Sequence, residues 1–484
     1  MSTQTTKLTL RDSKAARWTA LVLLASAMFF GYIFMDVLSP LKHLMQEQRG
    51  WDSMAFGNFA GSETFLNVFV FFLIIAGIIL DKMGVRFTAI LSGAVMLLGG
   101  CINYYAVTDA FVGSGVERFF DSILNLPQEW WNVTPFYEGM PASAKLSAIG
   151  FMLFGCGVEM AGITVSRGIV KWFHGKEMAL AMGIEMAIAR IGVAVVMVGA
   201  PVIASLGGKV SVSRPVAFSV LLMLIGFICF IVYGFMDKKL EMQEGNTEEK
   251  DDPFKISDLK YIFTSKVFWI VALLCVLYYS AIFPFQKYAV NMLQCNLGYS
   301  AKTAGMVFSV FPLGAAAITP FLGNFLDRRG KGATMLILGA VLMIVCHLSF
   351  AFLVPWTQNT FLTLASIVLL GISFSLVPAA LWPSVPKLVD KKLLGSAYAV
   401  IFWIQNIGLY AFPMIIGKTL TAVNPGVDDP TKLNYTVPMC IFASLGVLAL
   451  LLGLVLKALD MKNNYGLEAP NIAPAASEAD ESKA

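Results

Sequence analysis

Five ionisable side chains, Asp36, Glu63, Glu159, Glu185 and Arg190, stand inside runs of otherwise apolar sequence. An ionised group at a bilayer centre costs at least about 2.5 to 3.5 kcal/mol, so such a group is retained where it faces a cavity or a partner. Arg190 carries the most information, because a guanidinium keeps its proton and offers a planar fork to two carboxylate oxygens. It suits an anionic group, and Glu159 suits an ammonium. Counted from the ends of their apolar runs, Glu159 lies roughly 10 Å deep and Arg190 roughly 20 Å. That separation leaves room for a small zwitterion between them. The structural alternative is an internal salt bridge from Arg190 to Glu159 or Glu185. Glu185 precedes Arg190 by five residues, which is about 140° around a helix. Both cannot point squarely into one cavity, so Glu185 is expected as a packing acid, with proton coupling through a desolvated carboxylate as its other role. Asp36 and Glu63 are expected as hydrated acids at outer ends, Asp36 with proton coupling as the alternative. Lys287 is expected to snorkel, and His347 to be a packing residue.

The elements that must position these groups are long helices. The chain has 484 residues, 57% hydrophobic and 14% charged, with a mean hydropathy of +0.72. Soluble domains carry about a quarter charged residues, so an ordinary soluble enzyme is excluded. A formal charge of +4 is too small and too scattered for a nucleic-acid binder. Apolar runs predict twelve membrane helices near 18–38, 55–80, 88–107, 145–166, 177–202, 215–236, 267–286, 303–326, 333–353, 361–386, 394–417 and 436–457. The runs are too long and continuous for the alternating strands of a barrel.

Most Lys and Arg fall on the side that carries both chain ends, which the positive-inside rule assigns to the cytoplasm. The expected organisation is a cytoplasmic tail 1–17, a six-helix bundle 18–236 with an outer loop 108–144, a cytoplasmic linker 237–266, a second six-helix bundle 267–457, and a disordered cytoplasmic tail 458–484. The first apolar run is too long for a signal-peptide core and reads as a retained helix. Seven cysteines show no paired-ligand spacing, so neither a disulfide framework nor a metal site is expected. No P-loop is present in the sequence, and no cofactor is expected.

The two halves repeat. GIILDKMGVR, with Gly77, Asp81, Gly84 and Arg86, matches GNFLDRRGKG, with Gly323, Asp327, Arg328 and Gly330. Further along, Arg190 matches Asn406, Glu159 matches Ser375, and Phe154-Gly155 matches Leu370-Gly371. The register between the halves changes where the long loop 108–144 is answered by the short loop 354–360. Two parallel six-helix repeats account for this, and such repeats gather binding groups at their interface near the midplane. Neutral residues at the second-half positions show that the repeat itself does not require charge there.

Twelve spans, two halves and a duplicated GxxxDKxGxR loop resemble the major facilitator superfamily. Within it, KWFHGKEMALAMGIEMAIARIG, YYSAIFPF, ALWPSVPKLV and LGSAYAVIFWIQNIG are similar to the lysosomal dipeptide transporter branch and its bacterial relatives. The similarity covers nearly the whole membrane part and fades in 108–144, the linker and the tails. The resemblance implies an all-α membrane fold of two pseudo-symmetric six-helix bundles, with Glu159 and Arg190 binding the two ends of a peptide. By the same resemblance Tyr32, Tyr278, Tyr279, Phe283, Trp382 and Gln405 line the cavity, and apolar walls of this kind accept varied side chains. The branch usually has a neutral amide where this chain has Glu185, so its coupling mechanism does not transfer directly. Gly77, Asp81, Gly84, Arg86, Asp327 and Arg328 are read as gating residues at helix ends.

The expected function is alternating-access transport of dipeptides or similar zwitterions. An organic-anion or proton-coupled carrier is the alternative, and a receptor or scaffold that does not transport is the alternative of another class. An enzyme is not expected. The expected partners are the lipid bilayer and a small peptide-like solute, without nucleic acid, and a homo-oligomer or accessory subunit is not legible. A bacterial cytoplasmic membrane is favoured over a lysosomal one, since neither tail carries an acidic dileucine signal.

Overall fold

In hydrocarbon every backbone N–H and C=O must be satisfied within the segment that carries it, and an apolar chain meets that demand as helices. The computed structural model describes residues 9–129, 131–174, 176–244, 259–390 and 393–470. Among them, eleven helices are long and apolar enough to cross a membrane. The first half comprises α1 (Lys14–Met35), α2 (Lys42–Arg49), α3 (Ser53–Ser62), α4 (Phe65–Phe69), α5 (Phe72–Ala106), α6 (Gly115–Ser122), α7 (Ala142–Phe173), α8 (Met178–Ala204) and α9 (Ser213–Glu244). The second comprises α10 (Leu259–Thr264), α11 (Lys266–Leu297), α12 (Ala301–Arg329), α13 (Gly332–Leu348), α14 (Val354–Thr357), α15 (Thr360–Leu388), α16 (Leu394–Val423) and α17 (Thr436–Asn463).

Helix α5 is two helices joined at Gly84, whose φ of 77° and ψ of 168° interrupt the ladder. An L side chain at that φ is strained, which gives the glycine of the repeated loop a reason. The run expected as one helix over 55–80 is broken twice, at Glu63–Thr64 and at Val70–Phe71, where Phe71 has a φ of 54°. Gly155 of α7 has no side chain, so the Glu63 carbonyl settles where a Cβ would stand.

The chain ends also differ from expectation. A short turn at Leu10–Asp12 precedes α1, and Arg17 holds it by donating to the carbonyls of Arg11 (2.8 Å) and Asp12 (3.2 Å) and to Glu177 Oε2 (3.2 Å). A backbone hydrogen bond and the Arg17 guanidinium keep the Glu177 carboxyl below the usual range. The linker expected over 237–266 is shorter, because α9 continues to Glu244 and α10 begins at Leu259. The tail expected to be disordered from 458 is helical to Asn463, and its next residues strap the second half. Lys331 and Gly332 N–H groups donate to the carbonyls of Glu468 and Leu467, Thr334 N–H donates to Glu468 Oε1 at 2.7 Å, and Lys387 Nζ donates to the carbonyls of Gly466 (3.0 Å) and Ala469 (3.1 Å). Residues 471–484 lie outside the described residues.

The halves meet through two glycine seams. Between α3 and α16, Gly57 lies against the Pro413 carbonyl, Gly61 against that of Tyr410, and Gly417 against that of Ser53. Between α12 and α8, Gly305 lies against the Met197 carbonyl. Each seam runs along the part of the bundle nearer the long loop, called here the loop face.

Candidate functional site

The Tyr32 phenol of α1 lies in electrostatic range of Glu63, Glu159 and Glu185 and of Tyr279. Arg190 projects from α8 toward the second half, where Nη1 donates to the Ala315 carbonyl at 2.9 Å and to Thr319 Oγ1 at 2.5 Å. Its guanidinium carbon lies 5.0 Å from the centre of the Phe374 ring, a cation–π distance, and Tyr32 and Tyr279 are both in electrostatic range. Those partners are neutral. Among the described residues no ion pair joins Arg190 to Glu159 or Glu185, so the charge is held in place and left uncompensated.

Glu159 of α7 faces the side-chain amide of Asn406 on α16. Asn406 is only 2% exposed, and its Oδ1 has no hydrogen-bond partner among the described residues. Glu185, five residues before Arg190 on α8, is half-buried and is in electrostatic range of Tyr32. Glu159, Glu185 and Arg190 are thus each within electrostatic range of Tyr32.

Aromatic rings wall the second-half side. Tyr279 stacks on Phe283 at 5.5 Å and meets Trp382 edge-on at 6.3 Å. Trp382 Nε1 donates to the Tyr279 hydroxyl at 3.2 Å, and its ring packs 5.0 Å from Phe402. Gln405 Oε1 accepts from the Cys275 thiol at 3.3 Å. Tyr278 is not part of this wall. It is fully buried, and its hydroxyl donates to the Leu336 carbonyl of α13, because adjacent residues of a helix point about 100° apart.

Asp36, Glu63 and Lys287 are neither hydrated nor snorkelling. Lys287 Nζ of α11 lies 3.0 Å from Asp36 Oδ1 and 3.6 Å from Glu63 Oε2, and donates to the Met35 carbonyl at 2.9 Å. Gln286 Nε2 donates to Asp36 Oδ2 at 2.6 Å, and Ser39 Oγ to Asp36 Oδ1 at 3.0 Å. Asp36 is 1% exposed. One cation from the second half thus bridges two acids of the first, and further polar crossings join it: Gln46 Nε2 to the Asp428 carbonyl (3.3 Å), Trp403 Nε1 to the Val68 carbonyl (2.9 Å) and Tyr410 hydroxyl to the Val133 carbonyl. His347 packs between Phe285 and Phe442 at 5.0 and 5.3 Å.

The repeated loops act within their own halves. Asp81 accepts from Arg167 of α7 at 3.1 Å, Arg86 pairs with Glu241 of α9 at 2.8 Å, and Lys171 lies between Asp237 (2.9 Å) and Glu241 (3.1 Å). Gly77 has nothing close to its missing Cβ. In the second half Asp327 is in electrostatic range of Lys387, and Arg328 is exposed. Sequence reasoning missed Thr319, Phe374 and Gln286, and weighed Asn406 only as the repeat partner of Arg190. Gln286 had one signal, its place beside an intramembrane lysine.

The family model described as Major Facilitator Superfamily matches residues 24–293 and 288–474. The chain belongs to the major facilitator superfamily. It is an integral, multi-pass membrane protein of a transporter family. Among curated relatives it is similar to the lysosomal dipeptide transporter MFSD1 of Danio rerio, 32% identical over 291 residues, or 57% of this chain and 60% of that protein. To MFSD1 of Homo sapiens it is 30% identical over 288 residues, covering 57% and 59%. The matches thus span about three fifths of these relatives' length. Among solved structures, the nucleoside transporter NupG aligns with a TM-score of 0.67 at 13% identity, over 90% of this chain and 99% of that one. A bacterial homologue of the human lysosomal transporter Spinster, in an inward-facing and unoccupied conformation, aligns at 0.66 and 12% identity over 96% and 100%. At such identities these superfamily structures show the fold alone. Among the described residues no group of three His, Cys, Asp or Glu is placed to hold a metal ion.

Proposed function

We propose that this chain carries dipeptides or similar zwitterions across the membrane by alternating access, its two bundles rocking about the cavity around Tyr32. The single observation that carries the reading is the pair of uncompensated opposite charges: Arg190, held by neutral oxygens and a ring, and Glu159, faced by an amide. A ligand with a carboxylate and an ammonium satisfies both, and the ammonium also supplies the donor that Asn406 Oδ1 lacks. The relatives' printed function supports the substrate class, since MFSD1 is a lysosomal dipeptide transporter. The aromatic wall of Tyr279, Phe283 and Trp382 accepts the side chains between the charged ends.

The same reading has twelve crossings, the second made by α3, α4 and the first arm of α5 together (53–83) and the third by its second arm (85–106), and both chain ends in the cytoplasm. Its units are the bundles 18–236 and 267–457. The glycine seams and the Asp36–Lys287–Glu63 cluster support a state sealed on the loop face and open toward the chain ends. Gly77, Asp81, Gly84, Arg86, Asp327 and Arg328 belong to the parts that rearrange when that state changes.

The test is uptake by purified protein in proteoliposomes. Dipeptides with free ends are taken up, and blocking either end lowers uptake by about tenfold or more, since a charge-assisted hydrogen bond contributes about 1.5 to 3 kcal/mol. Equal transport of acetylated peptides or simple dicarboxylates refutes the reading and favours an organic-anion carrier, in which Asn406 merely holds Glu159. Running the assay with and without a pH gradient decides whether the transport is proton-coupled. No uptake of any peptide by folded protein points to a receptor.

A further inference from the structure

The loop 108–144 is answered in the second half only by the short loop 354–360, and beyond the bond from Tyr410 to the Val133 carbonyl the proposed transport cycle gives it no task. Its helix α6 is amphipathic: Val116, Phe119, Phe120 and Ile123 fall within one arc, while Glu117, Arg118 and Asp121 share the opposite side. The helix is firmly mounted. Ser114 Oγ caps its start by accepting from Glu117 N–H at 3.1 Å. At its far end Lys145 of α7, itself 1% exposed, donates to the carbonyls of Phe120 (3.0 Å) and Ile123 (2.9 Å) and to Asn125 Oδ1 (2.7 Å). Phe120 packs inward on a small cluster that contains Phe111 and Leu146.

The rest of the apolar arc is uncovered. Phe119 is 56% exposed and Val116 38%, and Val112, in the turn before the helix, is 56% exposed as well. A fold that commits a buried lysine to fixing this helix holds the arc in one direction. The helix adjoins an exposed apolar stripe on α5, made by Leu98, Cys101 and Tyr105, through the buried ring of Phe111 in the preceding turn, which Tyr105 meets edge-on at 5.8 Å and against whose cluster Phe120 packs. Leu98 and Cys101 lie on the membrane-crossing part of α5 and face outward, where lipid covers them. Half-exposed tyrosines at the end of such a helix mark the headgroup level.

We propose that α6 lies in the plane of the bilayer on the loop face, with Val112, Val116 and Phe119 seated at the acyl edge and Glu117, Arg118 and Asp121 turned to water. The partner is the lipid surface of one leaflet, and α6 is an in-plane anchor that fixes how deep the first bundle rides.

The test uses full-length protein in nanodiscs of phosphatidylcholine and phosphatidylglycerol. Phe119→Cys and Asp121→Cys, each in a Cys101→Ser background, are labelled with an environment-sensitive fluorophore, and the signal of the identically treated parent is subtracted. The expected result is a blue-shifted emission at 119, quenched by a nitroxide placed high on the lipid acyl chain and little by aqueous iodide, with the reverse at 121. Iodide quenching at 119 equal to that at 121 overturns the proposal. So does shielding of 119 from both quenchers, which indicates a covering protein chain. Hydroxyl-radical footprinting of the unsubstituted protein supplies a second measurement. Normalised to the denatured chain, Phe119 oxidation falls several-fold below that of Trp131, which is similarly exposed at 51%, and equal oxidation overturns the anchor.

Discussion

Lys287→Met removes the single cation shared by Asp36 and Glu63 while keeping most of the side-chain volume. In the state described here both acids are then buried without a cation, Asp36 keeping only the neutral donors Gln286 and Ser39, because the cluster lies between the halves and Asp36 is 1% exposed. Removing one member of a buried ion pair costs about 3 to 5 kcal/mol. The cost falls on the state closed at the loop face, since opening that face hydrates the two carboxylates. At about 1.4 kcal/mol per tenfold, even 3 kcal/mol shifts the balance between the two states by roughly two orders of magnitude. Spin labels at Glu47 and Lys432, both exposed on the loop face, report the change as a distance distribution. The variant is expected to move from a short-distance population to a long one, and its uptake to fall because the opposite opening becomes rare. Asp36→Asn should shift the distribution less, since Lys287 keeps Glu63. A Lys287→Met variant with unchanged distances and full uptake would refute the assignment of this cluster as the loop-face closure.

Glu159→Gln and Arg190→Lys should each lower dipeptide uptake by about tenfold or more with expression unchanged, the first by losing the ammonium site and the second by replacing a planar fork with a point charge; a peptide titration of uptake rate checks both. Tyr279→Phe should raise the KM for dipeptides because Trp382 loses its acceptor, whereas Tyr278→Phe should leave KM in place and lower thermal stability by about 1 kcal/mol through its lost bond to Leu336. Gly57→Ala puts a methyl against the Pro413 carbonyl and should favour the loop-open distances between labels 47 and 432.

The sequence made Glu159 and Arg190 legible because an ionised group in an apolar run is conspicuous alone, without knowledge of its neighbours. Span positions were legible for the same reason, since hydrophobicity is a local property. Lys287, Asp36 and Glu63 were conspicuous too, but their meaning depends on a partner across the interface of the halves, and no periodicity within one helix reports that. The break at Glu63–Thr64 sits against Gly155 on another helix, and the ordered segment after Asn463 follows from the Lys331, Gly332 and Thr334 groups it satisfies. Such features belong to the assembled pair of bundles.

The glycine seams also bear on leakage. Where Gly57, Gly61, Gly305 and Gly417 meet opposing carbonyls, backbone rests on backbone, and no rotamer change can open a thread of water along the line. Side-chain gaskets flicker on the nanosecond scale, but main chain yields only when whole helices separate. A carrier sealed in this way can keep its other mouth wide and wet without short-circuiting the ion gradients of the membrane it sits in.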